Sequence, residues 1–286
     1  MSDDLFSVRG KTALVTGGSR GIGAMIARGF VADGARVFIA ARKAAELETT
    51  AAELNDLGGG SASAIVADLS SEDGARALAD AVGAQTDHLD VLVNNAGATW
   101  GAPLEDHDQA SWDRVLNLNV AGVFHVTKFC LPLLRAAGSA EEPARVINIG
   151  SIDGIQVPIM ETYSYSSSKA AVHQLTRHLA KQLAPAITVN AVAPGPFESK
   201  MMAATLAAGC LHDNAPWREA GGGYDSGSWF GPRIAMPLPE GWMMRNGVED
   251  GLIATRDGFN LQTIAIIRAD PGDPLPHTKK VVKEGM

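Results

Sequence analysis

Cysteine is scarce in this 286-residue chain: only Cys130 and Cys210 occur. Two thiols so far apart in sequence build neither a disulfide framework nor a thiolate metal cage, which points to a reducing compartment. Basic charge is short as well. Lys and Arg total 24 against 32 Asp and Glu, a formal charge of −8 that repels a phosphate backbone, so nucleic acid is not an expected partner. No apolar run approaches the roughly 18 residues that read as a membrane span. The opening Met1-Ser2-Asp3-Asp4 is acidic where a secretory signal carries positive charge. The reading is therefore cytoplasmic, without a membrane partner. His173 and His178 stand five apart rather than four, off the spacing that sets two ligands on one helix face, so no metal is expected. What is present is a core. Hydrophobic residues make up 46% and charged residues 20%, the balance of a globular protein rather than a disordered one.

Short apolar runs alternate with longer amphipathic stretches from the start, the pattern of βαβ units feeding a parallel sheet. Strands are predicted at 11–16, 36–41, 62–67, 90–94, 145–150 and 188–192, several of them β-branched without polar alternation, as strands buried on both faces require. Between them, 21–32, 44–57, 72–83, 110–136 and 162–183 carry apolar residues at helical spacing. The fold class is α/β: a doubly wound (Rossmann) parallel sheet with helices on both faces.

After the first strand comes Thr16-Gly17-Gly18-Ser19-Arg20-Gly21-Ile22-Gly23, which opens directly into a helix. Glycines let the backbone turn tightly against a pyrophosphate, and the helix start receives its charge; the alternative is a structural turn. The second strand ends Ala40-Ala41-Arg42-Lys43 with no acid. A ribose 2′-hydroxyl wants a carboxylate here and a 2′-phosphate wants Arg. Arg42, 19 residues past Gly23, and Arg20 in the turn supply two guanidinium groups, which favours NADP(H). Asp68, at the end of the third strand, carries two readings: acceptor for the adenine amino group, or cap of the next helix.

Tyr165 and Lys169 are four apart and differ by about 40° around a helix axis. They share a face, and an ammonium that close favours phenolate, bringing a tyrosine toward general acid/base work. Tyr163, six residues from Lys169, sits about 240° away and lacks that support. Ser151 stands at the C-terminal end of the fifth strand, outside which open α/β sheets bind ligands.

Taken with Asn94-Asn95-Ala96-Gly97, Asn119 and Pro194-Gly195, these motifs resemble the short-chain dehydrogenase/reductase family over residues 8 to about 205. Within it the chain is similar to 3-oxoacyl-(acyl-carrier-protein) reductases, especially those associated with rhamnolipid synthesis, through Trp100-Gly101, 131–135 and 144–151. The resemblance implies that Tyr165 protonates a carbonyl oxygen, that Lys169 tunes Tyr165 and holds the nicotinamide ribose, and that Ser151 polarises the carbonyl. It implies that Asn119 holds a relay water. It implies cofactor contacts from Gly17, Ser19, Arg20, Gly21, Ile22, Gly23, Arg42, Asp68, Leu69, Asn95, Ala96, Gly97, Pro194 and Gly195. Ser199 stands where the family commonly has a threonine on the nicotinamide amide.

The activity implied is NADP-dependent reduction of a ketone to a secondary alcohol, on a 3-oxoacyl thioester or similar apolar small molecule. A polyol or sugar dehydrogenase, and a non-catalytic dinucleotide-binding regulator, are the alternatives. Ile155, Val157, Ile159 and Met160 suit either an apolar substrate wall or core packing, and Met201 and Met202 either a substrate mouth or packing.

The family pattern stops near residue 208. Residues 1–208 read as the dinucleotide-binding catalytic domain and 209–286 as an atypical segment that holds 12 of the 31 glycines and 7 of the 14 prolines. The family's closing strand and much of its homo-oligomer interface normally lie there, so both are in question. Only 261–267 reads as a strand able to pair at the sheet edge.

Overall fold

The computed structural model describes residues 7–158 and 160–195, and beyond them the backbone of six short strands between residues 218 and 266. Six parallel strands form the sheet: β1 (Thr12–Thr16), β2 (Arg36–Ala41), β3 (Ser61–Val66), β4 (Val91–Asn94), β5 (Ala144–Ile149) and β6 (Ile187–Pro194). Their spatial order is β6-β5-β4-β1-β2-β3. Chain direction across the sheet therefore reverses between β1 and β4, the crevice where doubly wound folds take ligands. Every residue of β1 and β4 is buried, which is why their sequences show no alternation. β3, at the edge, alternates partly.

Helices α1 (Gly21–Ala32) and α2 (Ala44–Asn55) cover one face, where Ala27, Val31, Leu47 and Leu54 meet Val15, Val37 and Ile39. On the other face, α3 (Glu72–Gly83), α5 (Val123–Ala137) and α6 (Tyr163–Leu183) bring Leu78, Val82, Val126, Cys130 and Leu179 onto Leu14, Phe38, Leu92 and Val146. Burial pushes the Cys130 thiol up to about 12, so it packs as a small apolar group.

The stretch read as one helix over 110–136 is interrupted. α4 (Gln109–Leu116) passes into a π-helical turn, Asn117–Gly122, before α5 resumes. Gly122 permits this, since a Cβ there would stand 2.6 Å from the Leu69 carbonyl oxygen. Within Gln109–Ala137 one 18-residue window is long and apolar enough, by length and composition alone, to match a membrane span. In the fold, Val123, Val126, Cys130 and Leu134 of this stretch are buried in the protein's own core.

One further strand joins the sheet. Ile264–Ile266 runs antiparallel beside β6, pairing Ile264 with Pro194, Ala265 with Ala193 and Ile266 with Val192. The 261–267 run thus pairs, over these three residues, with the edge where the sequence allowed it. Ile159, Ser199, Met201 and Met202, and the side chains of 209–286, lie outside the described residues.

Candidate active site

The glycine turn between β1 and α1 is set by close approach. Gly17 and Gly21 hold positive φ of 66° and 55°, which only glycine adopts cheaply. A Cβ on Gly23 would lie 2.3 Å from the Gly17 carbonyl oxygen. Arg20 occupies the N-cap of α1 and its side chain makes no capping hydrogen bond, so no N-cap side chain competes for the first-turn amides. An uncapped helix start above a glycine cradle suits the pyrophosphate of a dinucleotide. Ile22, second in α1, is half-buried, and the Ser19 carbonyl accepts from Thr50 Oγ1 at 2.9 Å, tying the turn to α2.

Thr16, which sequence reading passed over as a site residue, braces the next loop. Its buried hydroxyl accepts from the amides of Asn95 (3.0 Å) and Ala96 (3.1 Å), and Asn95 Nδ2 donates to the carbonyls of Thr16 (2.9 Å) and Gly17 (3.2 Å). The loops after β1 and β4 are thereby one unit. A polar residue closing a buried strand was the available signal.

The two arginines are exposed at the rim. Arg20 Nη1 lies 3.8 Å from Glu46 Oε2, and Lys43 Nζ lies 2.9 Å from Glu46 Oε1. Such solvated pairs contribute little stability and yield readily to a competing anion. Asp68 resolves one of its two readings. Its Oδ1 accepts from the Ser70 amide (3.1 Å) and hydroxyl (2.8 Å), while Ser71, not Asp68, caps α3 through Gly74. Those bonds, and then the charge of Arg42, hold the Asp68 carboxyl below its usual range. Leu69 buries its side chain in the core, leaving its backbone as the part able to face a cofactor.

At the ends of β5 and β6 the remaining groups converge on α6. Ser151 is buried, and its Oγ accepts from the Asp153 amide at 3.1 Å. Burial raises the Tyr165 pKa above its usual 10; the neighbouring Ser151 hydroxyl favours phenolate, but burial outweighs it and the Asp153 charge reinforces the rise. The sequence expectation that Lys169 lowers it is not met here. Lys169 Nζ lies 5.6 Å from the Tyr165 ring centre and donates to the Ile149 carbonyl at 2.7 Å. Burial brings Lys169 itself down to about 8. Tyr163 faces elsewhere, donating to Glu161 Oε1 at 3.2 Å and meeting His107 edge-on at 5.1 Å.

Asn119 sits buried in the π-turn. Its Oδ1 accepts from the Ala98 amide (2.8 Å), and its Nδ2 donates to the Ala98 carbonyl and to Ser168 Oγ, both at 2.9 Å. A Cβ on Gly97 would stand 3.3 Å from Asn119 Oδ1 and 3.8 Å from Lys169 Nζ, so these three groups are neighbours. Ser168 and Asp153 were both missed from sequence, although each lies within two residues of a motif member. Pro194 ends β6, and a Cβ on Gly195 would come within 3.9 Å of Ile152 Cδ1. The apolar groups around this end are not core: Ile155 is 53% and Val157 93% exposed, and Trp100 and Leu104, on the loop whose Ala102 amide donates to the Glu161 carbonyl, are exposed too.

A buried hydroxyl, a phenol and a desolvated ammonium thus stand beside an anion-receiving glycine turn, a set able to polarise a carbonyl and supply it with a proton. Comparison with known proteins agrees in extent and kind. The family model described as short chain dehydrogenase matches residues 11–208. A rhamnolipid biosynthesis 3-oxoacyl-[acyl-carrier-protein] reductase of Pseudomonas aeruginosa is 55% identical over 197 residues, 68% of this chain and 76% of that one. Nodulation protein G of a Rhizobium strain is 39% identical over 199 residues, 69% of this chain and 77% of that one. Among solved structures, the Pseudomonas aeruginosa RhlG/NADP active-site complex superposes with a TM-score of 0.68 at 53% identity, covering 71% of this chain and 78% of that one.

Proposed function

Because the chain belongs to the short-chain dehydrogenase/reductase family, we propose that it is an NADPH-dependent reductase that converts an apolar ketone, a 3-oxoacyl thioester foremost, to a secondary alcohol in the cytoplasm. One observation carries the reading: Ser151, Tyr165 and Lys169 meet at the carboxyl end of β5 next to the glycine turn. NADPH, when bound, supplies the hydride, held by the turn from Gly17 to Gly23, by Asn95, Ala96 and Gly97, and by Pro194 and Gly195. Ser151 orients the substrate oxygen and Tyr165 gives it a proton. Lys169, with Asn119 two contacts away through Gly97, restores that proton and holds the ribose.

Two features narrow the substrate. Exposed Ile155, Val157, Trp100 and Leu104 favour an acyl chain over a polyol, since apolar surface gains from an apolar ligand. Arg20 and Arg42 with no acid at the end of β2 favour the 2′-phosphate. NADPH oxidation followed at fixed enzyme over 3-oxoacyl thioesters, simple ketones and sugars tests both. Turnover of the thioester with NADPH, and a loss of NADPH preference in Arg42→Ala, are the expected results. A sugar as best substrate, or equal use of NADH by the wild type, refutes the assignment.

A further inference from the structure

His173 lies one turn beyond Lys169 on α6 and is 6% exposed, yet nothing in the proposed chemistry uses it. Its Nε2 is buried with no hydrogen-bond partner. Burying a polar atom unpaired is unfavourable, so a residue serving only to fill space here would be apolar. The surroundings of the ring give it another task.

The segment that carries Ser151 is flanked by Gly150 and Gly154, and both press on α6. A Cβ on Gly150 would come 2.1 Å from His173 Nε2, and one on Gly154 would come 2.6 Å from the Ala170 amide nitrogen and the Lys169 carbonyl carbon. Side chains are excluded at both ends of the turn, so the backbone seats directly on the helix. Further ties hold it in line: the Gly150 amide donates to the Val192 carbonyl at 2.7 Å, the Gly154 amide to the Ser151 carbonyl at 3.1 Å, and Lys169 Nζ to the Ile149 carbonyl. The His173 ring lies against both glycines, touching Gly150 through Nε2 and close enough to the Gly154 backbone for that backbone to favour its protonated form. With Nε2 turned against Gly150, Nδ1 is the ring nitrogen on the side left to reach that backbone. Burial, with Lys169 and Arg177 nearby, keeps the ring neutral.

We propose that His173 is a positioning residue: its imidazole, wedged between α6 and the Gly150 to Gly154 turn and reaching Gly154 through Nδ1, fixes the Ser151 hydroxyl against that of Tyr165. The inference rests on the carbonyl-reductase reading above. It adds that the alignment of two groups on different elements is set by a third that touches neither substrate nor cofactor.

The test compares full-length His173→Leu, His173→Asn and His173→Gln, each with NADPH and whichever ketone the wild type reduces. Displacing a catalytic group by about 1 Å costs up to about 100-fold in rate. His173→Leu is expected to lose about 10- to 100-fold in kcat, with NADPH affinity unchanged and KM changed less than about threefold. His173→Asn keeps a donor at the δ position and recovers to within about threefold of wild type, whereas His173→Gln, with its donor one atom further out, does not. That Asn/Gln contrast decides the matter if the leucine variant fails to fold. Crystal structures of wild type and the Gln variant provide an arm independent of turnover, in which Ser151 Oγ is withdrawn from the Tyr165 hydroxyl. Unchanged kcat in His173→Leu, equal losses in Asn and Gln, or an undisplaced turn overturns the proposal. A wild type that reduces no ketone sinks the function proposed above, while the crystal structures still decide the role of His173.

Discussion

Two tyrosines two positions apart have opposite surroundings, and the difference is testable. Tyr165 meets Ser151 and lies near Lys169, whereas Tyr163 is bonded to Glu161 at the surface. Tyr165→Phe should lower reduction by about 10² to 10⁴, the usual worth of a positioned acid, and Tyr163→Phe should leave most of it; both are measured with NADPH bound. Comparable losses refute the assignment. Lys169 permits a second test, on stability. Burial brings it from 10.5 to about 8, so between those values the unfolded chain keeps a proton that the folded chain has shed. By linkage, this residue makes the fold more stable as pH rises from about 8 toward 10.5, and least favourable below pH 8 where the buried ammonium is fully charged. Melting temperatures of wild type and Lys169→Met across that window should show the wild type gaining on the variant as pH rises. A constant difference means that the ammonium is not desolvated in solution.

At the scale of elements, α1 offers a matched pair of glycines. Gly23 faces the Gly17 carbonyl at a distance no side chain tolerates, and Gly29, on the same helix, has open space around it. Gly23→Ala should weaken NADPH binding by about tenfold or more, about 1.4 kcal/mol, by opening the turn. Gly29→Ala should instead stabilise the protein by about 0.5 to 1 kcal/mol; calorimetric titration and thermal melts distinguish them. The glycine turn, the sheet strands and the Tyr165 to Lys169 spacing were legible because each follows from local chemistry: a run of β-branched residues, a turn that only glycine makes, a helical repeat. The π-turn at Asn117–Gly122 was not, because its cause is distant. Ala98 and Ser168 draw the Asn119 side chain inward, and the Leu69 carbonyl claims the space beside Gly122. The Tyr165 pKa was misjudged for the same reason. Helical spacing gives the distance to Lys169, but not the desolvation, nor the Ile149 carbonyl that takes up the ammonium.

For the whole molecule, the question is what residues beyond 208 contribute to a sheet whose six parallel strands all lie before them. Ile264–Ile266 pairs with Val192, Ala193 and Pro194 at the β6 edge. Removing it leaves a row of unpaired amides and carbonyls, the surface through which sheets associate with other chains. The two faces of the sheet also differ. The side of α3, α5 and α6 is covered as far as β6, where Val189 packs with Leu179, whereas the helical residues of the opposite core come from α1 and α2 among the described residues. On that second side Ile147, Ile149 and Val192 of β5 and β6 are apolar groups that a truncated chain has fewer means to cover. A chain ending at residue 208 is therefore expected to melt at a lower temperature than the full chain and to associate with rising concentration. Light scattering coupled to size-exclusion chromatography, run beside thermal melts, measures both. A single substitution sharpens the comparison: Ala265→Pro in the full chain removes a ladder donor opposite Ala193 and should reproduce part of the loss, since proline cannot complete the pairing. If the truncated chain keeps the full melting temperature and a single discrete mass, the strand contributes nothing and β6 closes the sheet by itself.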